Sequence, residues 1–179
     1  MRKSWVETRR VSTERPSSRQ RNAHREEEEA VLAACRVLVA VSAQSMAAVE
    51  DVADLTQVRA LVVVASRGSV SLSELAAATN IHLTRASRLC DRLVASGLIN
   101  RADDPSNRRQ LTLTLTPEGE QVVHSVMRRR HEALEPILAR MRKQMTVSRR
   151  AQLVSLLQDF ALAGGEPSEP DLWALGWTT

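Results

Sequence analysis

Apolar residues recur at helical spacing through most of the chain. Between residues 26 and 163 they fall three and four positions apart, which is the spacing of a helix that buries one face. The apolar stretches predict helices that begin near residues 26, 55, 71, 83, 118 and 147. The period changes to two in QLTLTLT, residues 110–116, where Leu alternates with Thr as in a half-buried strand. The pattern therefore predicts a mainly α-helical protein with a small antiparallel β hairpin.

Capping signals mark the ends of the second and third predicted helices. Ser71, with Glu74 three positions later, has the spacing of a capping box. Thr56 is expected to cap the second helix, because its hydroxyl can accept a hydrogen bond from a free backbone N–H. Gly68 is expected to end that helix, since glycine suits the position just past a helix.

The hairpin leads directly into the fifth helix. Residues 98–101 are predicted to form its first strand, and DDPSN, residues 103–107, its turn. The leucines expected to face the core are Leu111, Leu113 and Leu115. Thr116 is a suitable N-cap and Pro117 a suitable first residue for the fifth helix. Pro136 is expected to kink or split this helix, because proline removes a helical hydrogen bond.

A short helix, a tight turn and a second helix occupy residues 71–96. In the second of these helices, Ala86, Leu89, Cys90 and Leu93 share one face. The other faces carry hydroxyl groups and charge, at Thr84, Arg85, Ser87, Arg88, Asp91 and Arg92. This arrangement is typical of a helix-turn-helix. Because the hairpin follows it directly, the order of elements predicts a winged helix-turn-helix.

The charge of the chain suits a polyanionic partner. The formal net charge is +4, and the basic residues are nearly all Arg, with Lys only at 3 and 143. Arginine binds phosphate and guanine through a planar fork of donors. A helix fits the major groove of DNA and reaches base edges from its N-terminal end. Arg85 or Arg88 is therefore expected to contact guanine; the alternative is that they contact phosphate or pair with Asp91.

The predicted DNA-binding residues extend beyond the second helix. Arg108 and Arg109 follow the hairpin turn and are expected to reach the DNA backbone or minor groove. His82 and Ser71 stand at helix starts and are candidates for backbone contacts, although capping alone explains Ser71. The full set is Ser71, His82, Thr84, Arg85, Ser87, Arg88, Arg92, Arg108 and Arg109.

Catalytic and metal sites have little support in the sequence. There is no P-loop, dinucleotide-binding glycine pattern or nucleophile elbow, so we do not expect an enzyme or a bound cofactor. Cys35 and Cys90 form no CxxC pair, which disfavours a zinc site and a disulfide framework. His124 and His131 are separated by about 10 Å of helical rise, too far to share one metal ion.

The chain is expected to be a cytoplasmic protein with no membrane partner. The apolar run at 30–49 is interrupted by Arg36 and by polar residues, which favours a buried helix over a membrane span. The N-terminus lacks the apolar segment of a signal peptide. Residues 1–25 are Arg-rich and predict a disordered basic tail. Residues 164–179, with Trp173 and Trp177, are expected to dock on the protein's own dimer or to be disordered.

Five segments, in order, resemble the MarR (multiple antibiotic resistance regulator) family of bacterial winged-helix transcription factors. They are LTQVRALVVVASRG, SLSELAAATNI, TRASRLCDRLVASGLINR, DPSNRR and LTLTPEG. The specific motifs cover residues 55–119, and a looser helical pattern covers 26–163. The resemblance implies a winged helix-turn-helix at about 55–116 and dimerisation helices at about 26–50 and 118–163. It further implies a homodimeric repressor of a pseudo-palindromic operator, which a small-molecule effector or an oxidant releases from DNA.

The sequence departs from the family at the wing. Asn107 stands where the family usually has an Asp that can brace one of the following arginines by an ion pair. Asn offers only neutral hydrogen bonds. Asp103 or Asp104 is the candidate to take over the bracing role.

Two alternative functions stay open at this stage. Some relatives sense peroxide through a cysteine in the first helix, where Cys35 lies. In those relatives tyrosines support the thiol, and this chain has no Tyr. Cys35 also falls on the apolar stripe, where a buried and inert thiol is expected. The other alternative is a winged-helix module for protein contacts without operator binding, against which the arginines on the outer face of residues 84–92 argue.

Overall fold

The computed structural model describes residues 17–103 and 111–165. Its helices are α1 (Ser18–Met46), α2 (Leu55–Arg67), α3 (Leu72–Thr79), α4 (Leu83–Ala95), α5 (Pro117–Gln144) and α6 (Val147–Ala163). Its strands are β1 (Val70–Ser71), β2 (Ile99–Asp103) and β3 (Leu111–Leu115), and they form one antiparallel sheet in the order β1-β3-β2. Asn107, Arg108, Arg109 and the tryptophan-containing tail lie outside the described residues. The mainly α-helical fold with a small antiparallel sheet is confirmed.

The first helix begins earlier than the sequence pattern predicted. Disorder was expected up to residue 25, whereas α1 starts at Ser18. Ser17 and Gln20 form a reciprocal cap, with Ser17 N donating to Gln20 Oε1 at 2.8 Å and Gln20 N donating to Ser17 Oγ at 3.3 Å. These first turns are polar, so apolar periodicity could not detect them. The chain divides into two compact units, Met1–Val39 and Ala40–Thr179.

Helix caps are local features, and most follow the prediction. Gly68 ends α2 with a φ of 70°. Ser71 and Glu74 form the expected capping box at the start of α3. The cap of α2 was predicted two residues too late, because Asp54 and not Thr56 is the N-cap. Asp54 Oδ1 accepts from Gln57 N at 2.8 Å, and Gln57 Oε1 accepts from Asp54 N at 2.8 Å.

The sheet contains a short strand that the sequence pattern missed. Val70 of β1 pairs with Leu113, while Arg101 of β2 pairs with the same residue from the other side. Leu113 is therefore central and fully buried, as predicted. Leu115 is half-buried, but the prediction for Leu111 was wrong, since it is 40% exposed. The two-residue β1 pairs with β3 at Leu113 and Thr112 and ends there, short of Leu111.

The core of the second unit is aliphatic and joins α2, α3, α4, the sheet and the first half of α5. Its fully buried large residues include Val58, Leu61, Leu75, Leu89, Leu93, Val123 and Val126. Cys90 belongs to this core, as expected for a packing residue. Burial raises the pKa of the Cys90 thiol. The core fixes α4 on the side opposite its charged residues.

Helices α5 and α6 leave much of their surface uncovered in the single chain. α5 runs through Pro136 as one helix from Pro117 to Gln144, so of the predicted kink or split, the split does not occur. α6 has no buried residue. Its exposed apolar side chains are Val147, Val154, Leu156, Leu157, Phe160 and Leu162.

In the first unit, the apolar stripe of α1 is likewise exposed, at Val31, Leu32, Val37, Leu38 and Val39. Cys35 is also exposed, which corrects the expectation of a buried thiol. The stripe is apolar by sequence, but helical periodicity does not say whether the same chain covers it. The length and composition of α1 would allow it to cross a membrane. Core helices of soluble proteins meet the same criteria, so this is weak evidence for a membrane span.

Candidate nucleic-acid interface

Helix α4, the second helix of the helix-turn-helix, packs by one face and is exposed on the others. Ala86, Leu89, Cys90 and Leu93 are buried, with at most 1% of each exposed. The predicted contact residues lie elsewhere on the helix. Thr84, Arg85, Arg88 and Arg92 are exposed, and Ser87 is half-buried. This confirms the division of α4 into a core face and a polar surface.

His82 is the N-cap of α4. Its Nδ1 accepts a hydrogen bond from the backbone N–H of Thr84 at 3.3 Å. Because Nδ1 is the acceptor, the hydrogen of the neutral ring is on Nε2. His82 is exposed, so this N–H is available to an acceptor such as a phosphate oxygen. The next residue, Leu83, is 47% exposed in the first turn of the helix.

Ser71 lies apart from the exposed surface of α4. It is 8% exposed, and its hydroxyl donates to Glu74 Oε2 at 2.7 Å and accepts from Glu74 N at 3.2 Å. The backbone N–H of Ser71 also donates to Glu74 Oε2, at 2.7 Å. These hydrogen bonds, first the backbone one and then that of the hydroxyl, lower the pKa of the Glu74 carboxyl. The capping role thus occupies the Ser71 side chain.

Asp91 is paired with the wing and not with its helical neighbours. Arg101 Nη1, on β2, lies 3.2 Å from Asp91 Oδ1. Within residues 17–103 and 111–165, the side chains of Arg85 and Arg88 have no hydrogen bond or ion pair. The alternative in which Asp91 occupies one of these arginines is therefore not what the structure contains. No described residue occupies either guanidinium group, so both can bind an external ligand.

The base of the wing is well formed beside α4. β2 and β3 pair at five positions, from Ile99 with Leu115 to Asp103 with Leu111. Arg101 therefore belongs both to the hairpin and to the ion pair with α4. Arg101 was not among the predicted site residues, because it follows the last apolar residues of a predicted strand and its partner is ten positions away. The signal that could have identified it is an Arg at a strand position expected to face the core, since a charged residue there needs a partner.

A second polar feature is a cavity of about 300 Å³ in the Ala40–Thr179 unit. Its lining consists of Ser42, Leu55, Arg59, Val62, Val63 and Arg130. Arg130 Nε donates to Ser45 Oγ at 3.2 Å, and Ser45 Oγ donates to the Ser42 carbonyl at 2.7 Å. Burial lowers the pKa of the Arg130 guanidinium. Among the described residues, no carboxylate pairs with Arg130.

Sequence comparison identifies a protein family and a related regulator that match the part of the chain containing this site. A family model described as the MarR family matches residues 53–110, which include α2, α3, α4 and β2. The HTH-type transcriptional regulator YsmB of Bacillus subtilis is 31% identical over 67 residues. That match covers 37% of this chain and 46% of YsmB.

Solved structures extend the likeness to most of the chain. The crystal structure of RV1404 from Mycobacterium tuberculosis is 35% identical, with a TM-score of 0.66, and the match covers 86% of this chain and 99% of that one. A MarR variant from E. coli, crystallised with operator DNA, has the same fold at 19% identity and a TM-score of 0.53. It covers 75% of this chain and 95% of its own. With the winged helix-turn-helix described above, these matches show that the chain belongs to the MarR family of transcriptional regulators.

Proposed function

We propose that this protein is a sequence-specific DNA-binding regulator that inserts α4 into the major groove. The observation that carries the proposal is the pair of exposed arginines, Arg85 and Arg88, which have no partner among the described residues and lie on a helix whose opposite face is packed in the core. An exposed arginine near the start of such a helix can donate two parallel hydrogen bonds to guanine O6 and N7. The rigid attachment of α4 supports a defined register on the bases.

The remaining side chains have complementary roles in this proposal. Thr84 and Ser87 offer hydroxyl groups to base edges, and Leu83 offers an apolar surface to a thymine methyl group. His82 Nε2 and Arg92 bind phosphate oxygens and set the orientation of the helix. Arg108 and Arg109, which lie outside the described residues, extend the contact into the neighbouring backbone or minor groove.

The regulator acts as a homodimer on a pseudo-palindromic operator. Support comes from the uncovered apolar side chains of α6 and, in the first unit, of α1, because large exposed apolar surfaces favour association. A two-fold dimer presents two copies of α4, so its operator has two related half-sites. The related MarR crystallised with operator DNA is consistent with this role. We place the protein in the cytoplasm, where its DNA target is, and propose that it is a repressor.

A small-molecule effector would bind the cavity that contains Arg130. Its lining combines the apolar residues Leu55, Val62 and Val63 with two arginines, Arg59 and Arg130. This combination fits an organic anion with an apolar body, whose charge would pair with Arg130. The lining side chains come from the end of α1, from α2 and from α5. A ligand there would shift α2 relative to α5 and so change the position of the helix-turn-helix.

Footprinting on the DNA that flanks the protein's own gene tests the DNA-binding proposal. We expect two protected half-sites about one helical turn apart. A salt titration between about 50 mM and about 200 mM should lower the affinity steeply, because binding releases counterions from phosphates. Affinity that does not change with salt, or no binding to any duplex, would contradict the proposal.

The exposure of Cys35 favours a second candidate function, that of a regulator that responds to oxidants. Oxidation of this thiol would add a polar group to the apolar stripe of α1. Comparison of DNA binding before and after peroxide, in wild type and in Cys35→Ser, distinguishes the candidates. Equal binding by all four samples would eliminate the oxidant response.

A further inference from the structure

Arg101 occupies a strand position that would normally be apolar. Residues opposite each other in antiparallel strands share a face of the sheet, and Arg101 is opposite the fully buried Leu113. The Arg101 side chain is 30% exposed, so its stem is largely covered while its charged end reaches α4. A charged residue on this face needs a partner, and Asp91 supplies it at 3.2 Å.

Asp91 lies on the exposed surface of α4, beside an arginine that we propose contacts a base. It follows Arg88 by three positions, and residues at this spacing are neighbours on a helix surface. Its side chain is 59% exposed, outside the buried face of α4. A carboxylate there has two unfavourable options in a DNA complex. It can repel phosphate, or it can take the Arg88 guanidinium away from a base.

We infer that Arg101 is a positioning residue for DNA recognition, which holds the Asp91 carboxylate on the wing side and leaves Arg88 free to bind a base. The inference rests on the proposed DNA-binding function and assigns a role within it. Arg101 acts through Asp91 and needs no DNA contact of its own. The same ion pair joins β2, which leads toward the wing tip, to α4, so the two DNA-contacting parts keep a fixed relation.

The test is a double-mutant cycle in the full chain. The variants are Arg101→Met, which retains the stem without the charge, Asp91→Asn, which removes the carboxylate, and the combination of both. The probe is a fluorescent duplex of the sequence that the wild-type protein selects from a random duplex pool, with a scrambled duplex for nonspecific binding. A matched control is the Arg128–Glu132 pair on α5, 3.4 Å apart, changed to Met and Gln in the same way.

We expect Arg101→Met to bind the selected duplex about tenfold more weakly, with a smaller loss on the scrambled duplex. Adding Asp91→Asn should restore the affinity to within about threefold of wild type, because no carboxylate then competes for Arg88. The salt dependence of the double variant should keep the wild-type slope, since Arg101 neutralises no phosphate. The α5 control variants should bind like wild type.

Two results would overturn the inference while leaving the proposed function intact. One is a double variant as weak as Arg101→Met. The other is a salt slope reduced by about one unit, which would make Arg101 a direct phosphate contact. A wild-type protein that selects no duplex would instead overturn the proposed function and this inference together. Thermal unfolding of each variant separates a loss of binding from a loss of folded protein.

Discussion

Gly119 lies so close to Leu98 that a Cβ atom on Gly119 would stand 2.1 Å from the Leu98 carbonyl oxygen. This contact packs the first turn of α5 against Leu98, which lies in the connection between α4 and β2. It is reinforced by Thr116, whose hydroxyl donates to the Gly97 carbonyl at 2.7 Å and accepts from Gly119 N at 3.0 Å. The start of α5 is therefore attached directly to the end of the helix-turn-helix.

We predict that Gly119→Ala destabilises the protein by about 1–3 kcal/mol, because the backbone of Leu98 would have to move to admit the methyl group. Urea unfolding at neutral pH measures the effect. Gly164→Ala is the matched control, since its Cβ would meet no atom closer than 3.4 Å. An equal, small effect of both substitutions would show that the contact between α5 and Leu98 is not tightly packed.

The Glu74 capping box makes part of the stability depend on pH. The pKa of Glu74 in the folded state is lowered from its ordinary value of 4.5, so this contribution is present above that value. It is lost as the pH falls through the folded-state pKa. We expect the gap in unfolding free energy between wild type and Glu74→Gln to be constant near neutral pH and to shrink in acid. A gap that widens toward low pH would contradict the assignment.

Arg88 is expected to carry base recognition. We predict that Arg88→Ala weakens binding to the selected duplex by about 10- to 100-fold, the value of one bidentate contact with guanine, and weakens binding to scrambled duplex much less. Fluorescence anisotropy with both duplexes measures the difference. Arg150→Ala on α6 controls for the loss of one positive charge. Equal losses on the two duplexes would make Arg88 a phosphate contact.

Arg130 is expected to reduce stability in the absence of a ligand. Its half-buried guanidinium has one described partner, the Ser45 hydroxyl, and a partly buried charge without a counter-ion is unfavourable. We predict that Arg130→Met raises the free energy of unfolding by about 1 kcal/mol, because Met fills similar space without charge. Arg130→Lys, which keeps the charge, should not be stabilising. Destabilisation by Met comparable to that by Lys would mean that the hydrogen bond to Ser45 outweighs the burial of charge.

The sequence by itself determined the order of the six helices and of the two hairpin strands, and many of their ends. Capping at Ser71 and Thr116, the end of α2 at Gly68 and the buried face of α4 depend on residues three or four positions apart. Local hydrogen bonds and helical periodicity determine such features, so a linear pattern is sufficient. The same reasoning identified the exposed arginines of α4.

Only the tertiary structure decided how distant residues meet. Three contacts join separate elements: the ion pair of Asp91 with Arg101, the pairing of Val70 with Leu113 and the hydrogen bond from Arg130 to Ser45. Leu111 and Cys35 are exposed because nothing in the described chain covers them. The spacing of apolar residues shows which face of an element is apolar, but not whether another element covers that face. These contacts depend on how the whole chain folds, and Asp91 meets Arg101 only because the fold brings β2 beside α4.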